Sequence, residues 1–249
     1  MSDRIRKLFE SSYPEMKFGA FSDVDGAVRF FTRVNALLEP EGRAIDLGCG
    51  RGAYQEDHCK TRRDQRVLQG KCKHVIGLDL DEDAASNPYM DEFHLLESPS
   101  ADWPVEDGSV QLIVCDHVME HVEDPQHLLA EAFRVLQPGG YLCIRTPNRW
   151  GYVALIATLV PRRLQKRVIG IAQRTRKSED VFPVQYRCNS RRRMRKMMLR
   201  AGFSEAVVRP VEGEPSYWTF SAPLFKLMSF LHRWTPNIGK NSLLGWGRK

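Results

Sequence analysis

The sequence predicts an α/β protein with a doubly wound, mostly parallel sheet and helices on both faces. Three observations carry this. Short apolar runs holding an acid recur at 44–47, 74–80 and 110–116, as expected of strands buried on both faces. Segments of helical periodicity alternate with them, and that alternation implies parallel neighbours joined by crossovers. The first run also breaks into Gly48, Gly50 and Gly52 before a helix-compatible stretch, which reads as strand, tight loop and helix start.

Taken in order, residues 1–20 mix charges with Tyr13-Pro14 and are expected to form a loop or irregular arm. From 25 to 38, Val28, Phe30, Phe31, Val34, Leu37 and Leu38 recur at helical spacing, ended by Pro40 and Gly42. After strand 44–47 and its glycine loop, a polar insertion at 53–73 has weak helix character. Strands are expected at 74–80, 93–96 and 110–116. A helix beginning near Pro125 is stopped by Pro138-Gly139-Gly140, and a fifth strand follows at 141–146. Beyond Pro147 come an apolar stretch (150–160), a basic linker (162–177), a helix from about Ser190 with Met194, Met197, Met198 and Leu199 on its apolar side, and a strand at 206–211. A strand and then an amphipathic helix are expected within 217–234, and a last strand at 242–246.

Composition sets the class. The 249 residues are 42% hydrophobic and 27% charged, an ordinary globular balance that one domain accommodates. We divide this single domain into an N-terminal arm and helix (1–40), a cofactor-binding core (44–146) and a substrate-side region with closing strands (147–249). The net charge of +6 is concentrated in the second half, which permits attraction to anionic partners. Six scattered cysteines without a C-x-x-C pair imply reduced thiols and a cytoplasmic protein. His58-Cys59 and Cys72-Lys73-His74 match no common zinc spacing, so no metal is expected.

Glycine lacks a Cβ, so a loop with three of them lets a ligand reach main-chain N–H groups at a helix start. Asp79, at the end of the second strand, is placed to accept hydrogen bonds from a ribose diol. The spacing also satisfies a loosened dinucleotide fingerprint, Gly48-x-Gly50-x-x-Ala53, which would suit an NAD(P)-dependent oxidoreductase.

The ordered set of motifs resembles the class I S-adenosylmethionine-dependent methyltransferases, of the methyltransferase type 11 kind. Asp46-x-Gly48-x-Gly50-x-Gly52, Asp79, Asp102-Trp103-Pro104, His117-Val118-Met119-Glu120-His121-Val122 and Leu136-Gln137-Pro138-Gly139-Gly140 carry that resemblance. It implies a Rossmann-like, seven-stranded sheet and S-adenosyl-L-methionine as cofactor. It further implies that Gly48, Cys49 and Gly50 pass under the methionine moiety and that Asp46 holds the loop or the amino group. Asp79 would take the ribose hydroxyls, Leu80 would pack on adenine, and Asp102 and Trp103 would lie at the adenine. Asp116 and His117 would flank the methyl. Residues 145–152 and 181–187 also resemble a bacterial subgroup some of whose members are associated with glycan or lipid-linked glycan pathways.

Methyl transfer needs positioning more than covalent machinery. Where oxygen is the acceptor a base helps, and His117 suits that role, with His121, Asp116 and Tyr186 as lesser candidates. The bland reading of His117 is a structural hydrogen bond. Tyr186 and Arg187 are candidate acceptor contacts or simple loop anchors. The acceptor is expected to be a small molecule or a glycan- or lipid-linked group.

Three rivals remain. An RNA methyltransferase would use the basic half, but no aromatic residues are interleaved with the arginines as stacking platforms, so nucleic acid is not the expected partner. His117-x-x-Glu120-His121 spells an inverted zinc-protease motif. The apolar stretches 150–160 and Phe225, Leu227, Met228, Phe230, Leu231 could belong to a non-enzymatic peripheral membrane protein, or could seat the enzyme at the inner membrane surface. Core packing is the alternative for the same residues.

Overall fold

A computed structural model of the chain describes residues 2–159 and 184–249. Seven strands form one sheet in the order β3-β2-β1-β4-β5-β7-β6. They are β1 (Arg43–Leu47), β2 (His74–Asp79), β3 (Glu92–Leu95), β4 (Val110–Asp116), β5 (Leu136–Pro147), β6 (Glu205–Val211) and β7 (Ser242–Arg248). Only β7 runs antiparallel to its neighbours, β5 and β6. The chain order therefore reverses between β1 and β4, which opens a crevice at their C-terminal ends.

Side-chain alternation along each strand sends residues to two cores. Ala44, Val75, Leu112 and Cys143 meet Phe30, Phe31 and Val34 of α2 (Gly26–Leu37). Their neighbours Ile45, Ile76, Ile113 and Leu142 pack with Leu129 and Ala132 of α4 (Pro125–Val135) and Met194 and Met198 of α6 (Arg191–Arg200). A fully buried aliphatic side chain contributes about 1.5–3 kcal/mol, so these two layers fix the strands' register and the position of their ends. On α6, Arg191, Arg192 and Arg193 face outward.

The weak insertion folds into a 3₁₀ turn, Ala53–Glu56, and the short helix α3 (Lys60–Arg66). Arg62 of α3 pairs with Asp25, the N-cap of α2, at 2.5 Å. Strand β5 begins earlier than expected, because α4 ends at Val135 and the chain is extended at once from Leu136. Gly139, at φ +81°, is accommodated within it.

Two expectations are corrected. Residues 3–12 form a helix, α1 (Asp3–Ser12), not an irregular arm: Ser2 caps it, and Leu8 and Phe9 are buried against Phe225. Its charges lie on the outer side, where Asp3 pairs with Arg6 and Lys7. No strand forms within 217–234. Ser216–Trp218 is a 3₁₀ turn after Pro215, and the helix α7 (Ala222–His232) follows. β7 is already paired on both sides, so it offers this segment no edge. The apolar stretch after Trp150 begins as helix α5 (Tyr152–Leu159); the basic linker and residues 181–183 lie outside the described residues.

Candidate functional site

The site lies across the C-terminal ends of β1, β2, β4 and β5. After β1, Gly48, Gly50 and Gly52 have φ of +69°, +55° and +72°, a region costly for residues with a Cβ. A Cβ on Gly48 would lie 2.3 Å from Val118 Cγ2. The loop is tied from both sides. Gly48 N donates to the Leu78 carbonyl at 2.7 Å, Gly50 N donates to Asp79 Oδ2 at 2.8 Å, and Asn87 Nδ2 donates to the Cys49 and Gly50 carbonyls. The other Asp79 oxygen accepts from Leu80 N at 2.7 Å and Asp81 N at 3.0 Å. Asp79 is thus a staple of its own loop as well as a candidate ribose acceptor. Leu80 keeps its side chain exposed.

Asp46 is different. Burial, with smaller contributions from Asp116 and Asp79, pushes its carboxyl up to about 7 against the pull of Arg66. Its carboxyl group accepts no hydrogen bond from any described residue. The residue is half-buried, and a partly desolvated carboxylate without a donor is disfavoured; an ammonium group would supply both charge and donors. The methionine amino group fits this position, and the exposed Leu80 offers an apolar seat for a purine.

Asp116, at the end of β4, has the opposite surroundings. Its oxygens accept from Arg145 Nε at 2.6 Å and Nη2 at 2.8 Å, and Arg66 Nη2 lies 3.3 Å away. Burial raises this carboxyl, but Arg145, His117 and Arg66 outweigh it and hold it well below the usual carboxylate range. It is a fixed anion and a poor proton acceptor, which corrects the reading of Asp116 as a base. Arg145 reaches it because β5 pairs Arg145 with Asp116 in register. The guanidinium also sits over the Phe30 and Phe31 rings.

His117 follows at φ +60°. Its Nδ1 is 3.1 Å from Glu120 Oε1, whereas Nε2 is 3.9 Å from Asp116 Oδ1, beyond hydrogen-bond range. Facing a carboxylate, Nδ1 carries the proton and leaves the Nε2 lone pair open. Burial pushes Glu120 up, but hydrogen bonds from His117 and Thr146 bring it below its ordinary value. Thr146 Oγ1 donates to Glu120 Oε2 at 2.7 Å and accepts from Asn189 Nδ2 at 2.6 Å. The segment 117–121 is a turn, with helix starting only at Pro125, so the two histidines lack the helical frame of the zinc-protease motif.

The remaining candidates divide. Trp103 is 5% exposed and lies in the core, so its indole supports the segment from beneath and does not offer a face to adenine. The Asp102 side chain is 90% exposed, 3.9 Å from His127. Cys49 is buried, and burial drives its thiol far above the normal range, so it contributes its backbone. Tyr186 N approaches the Glu120 carbonyl at 3.2 Å, and burial pushes its phenol up to about 12. Arg187 is exposed and makes no hydrogen bond or ion pair with the described residues. Arg66, Arg145, Asn87, Thr146 and Asn189 were not singled out from sequence. Two charges at the ends of adjacent buried strands, Asp116 and Arg145, were the available signal.

A mostly parallel sheet with a glycine loop and two strand-end acids, Asp46 and Asp79, at its switch point is the arrangement of a nucleoside-cofactor protein. Comparison with known proteins narrows the class. The family described as "Methyltransferase domain" matches residues 23–205, and the chain belongs to the class I S-adenosylmethionine-dependent methyltransferases. It is 34% identical over 110 residues to a "Probable S-adenosylmethionine-dependent methyltransferase" of Mycolicibacterium smegmatis, covering 42% of this chain and 38% of that protein. It is 30% identical over 127 residues to a ubiquinone biosynthesis O-methyltransferase of Thiobacillus denitrificans, covering 47% and 49%. The chain thus spans less than half the length of either relative. A SAM-dependent methyltransferase structure from Archaeoglobus fulgidus superposes with a TM-score of 0.56 at 17% identity, over 94% of this chain and 97% of that one, a likeness of fold.

Proposed function

We propose that the chain moves the methyl group of S-adenosylmethionine to a hydroxyl of a small-molecule, glycan-linked or lipid-linked acceptor. The observation that carries the oxygen assignment is the His117–Glu120 pair at the β4 end, where Nδ1 is held and Nε2 is open. Similarity to an O-methyltransferase of ubiquinone biosynthesis supports the same acceptor atom.

S-adenosylmethionine supplies a methyl already activated on a sulfonium. Asp46 would hold the amino group, the Gly48–Gly50 backbone would shape the methionine channel, Asp79 would take the ribose and Leu80 would back the adenine. His117 Nε2 would take the acceptor's proton as the acceptor oxygen bonds to the methyl carbon and the methyl–sulfur bond breaks, with S-adenosylhomocysteine as the leaving group, and Glu120 would stabilise the imidazolium. Glu120 is a positioning residue, itself held by Thr146 and Asn189.

Fractions of cell extract incubated with radiolabelled methyl donor name the acceptor directly. Label in a small or lipid-soluble product, lost with Asp79→Ala, supports the proposal; label in RNA overturns it.

A further inference from the structure

Helix α7 buries a narrow face, with Phe225 packed against Phe9 and Tyr13, and leaves a wide apolar face outside. The residues it buries at spacings of four and three are Phe225, Ser229 and His232, two of the three polar. His232 Nδ1 donates to the Gly213 carbonyl at 3.0 Å and Ser229 Oγ to the Phe225 carbonyl at 2.8 Å. The outward side carries Leu224, Leu227, Phe230 and Leu231, continued by Trp234 and Ile238. Leu227 is 51% exposed, Phe230 59%, Trp234 76% and Ile238 71%. A scattered exposed leucine needs no explanation, but a run of large apolar groups on one surface marks a contact site.

The electrostatics choose the occupant. No acidic residue follows Glu214, and Lys226, Arg233 and Lys240 lie within the same stretch. Basic residues interleaved with leucine, phenylalanine and tryptophan fit the boundary between lipid headgroups and acyl chains, where anionic headgroups meet the cations. No helix among the described residues is long and apolar enough to cross a membrane, so the contact is one that lies on the surface.

Topology places this face beside the proposed site. β6 and β5 run parallel, and Ser242, after the α7 loop, pairs with both Pro147 and Val211. The helix therefore stands at the sheet edge that carries Asp116 and His117. Asn148, just past β5, ties the loop down by donating to the Ile238 and Lys240 carbonyls at 2.9 and 2.8 Å.

We propose that the outer face of α7, with Trp234 and Ile238, rests on an anionic lipid surface and brings a lipid-borne acceptor to the methyl-transfer edge. This rests on the methyltransferase reading and names its acceptor class. Phe225, packed on Phe9, and His232, bonded to the Gly213 carbonyl, keep the helix seated while its wide apolar face stays outward.

The test is flotation of the full chain with phosphatidylcholine vesicles, with and without phosphatidylglycerol, alongside S-adenosylhomocysteine titration. Co-flotation is expected with phosphatidylglycerol vesicles, weakening as salt rises, with a blue shift of tryptophan emission. The double variant Leu227→Ser, Phe230→Ser should lose about tenfold or more in vesicle partitioning, and Lys226→Glu should lose the lipid selectivity, both with unchanged S-adenosylhomocysteine affinity. Absent flotation, or variants that float like the parent, overturn the proposal. A dimer dissolved by the same variants in analytical ultracentrifugation assigns the face to a second copy and overturns it equally. Loss of S-adenosylhomocysteine binding by the parent would instead defeat the underlying methyltransferase reading.

Discussion

Asp46 and Asp116 sit on adjacent strands of one sheet, and their surroundings drive them in opposite directions. Asp116 is surrounded by Arg145, Arg66 and His117 and stays ionised far into acid. Asp46 has only the more distant Arg66 as a cation and rises to about 7. Burial alone is unfavourable to both; what separates them is whether the protein supplies the counter-charge itself. At Asp116 it does, which makes that carboxylate architecture. At Asp46 it does not, which leaves the position to a ligand.

The contrast can be broken from the Asp116 side first. Arg145→Ala removes the bidentate partner of Asp116 and leaves Arg66 to hold it alone, which should cost up to about 3–5 kcal/mol, read as a lower urea midpoint with an unchanged slope. The sign with pH follows. Asp116 is depressed in the folded protein, so its contribution is present above the ordinary carboxylate pKa and is lost as pH falls through the lower folded value. Arg145→Ala should therefore destabilise much less in acid than at neutrality.

From the cofactor side, Asp79→Ala releases the Gly50, Leu80 and Asp81 amides together with the proposed ribose contact. S-adenosylhomocysteine affinity should fall about a hundredfold or more in calorimetry, with circular dichroism showing that the sheet survives. An affinity within about threefold of the parent would mean that Asp79 serves only its own loop.

A smaller effect is expected at the proposed base. Glu120→Gln should lower kcat about ten- to a hundredfold, with little change in KM for the methyl donor and an altered pH–rate profile. A change confined to stability would give Glu120 a structural role only.

How much of this was legible in sequence follows the same division. The glycines, Asp46 and Asp79 were readable because a left-handed backbone and strand-end acids at fixed offsets leave few residue choices. The Asp116–Arg145 pair was not, since it depends on the β4–β5 register, a long-range fact that local pattern does not carry. Glu120 stood inside a recognised segment, yet its hold on His117 comes from a tight turn ahead of the helix at Pro125, a geometry that local pattern does not specify. Trp103 was assigned to the ligand because motif position says nothing about burial. The apolar stripe of α7 was visible as a stripe, but periodicity cannot tell which side faces in: Phe225 is core and Leu227, Phe230 and Leu231 are surface. The helix at Asp3–Ser12 was missed because its charges obscured a narrow apolar side.

The central claim, that Asp46 awaits a cationic ligand, is tested most directly by S-adenosylhomocysteine calorimetry from pH 8 to pH 6. Below about 7 the carboxyl is protonated and loses its attraction for an ammonium, so affinity should fall, approaching about tenfold per pH unit. Asp46→Asn should bind weakly and without that dependence. A pH-independent affinity shared by the parent and Asp46→Asn would contradict the account.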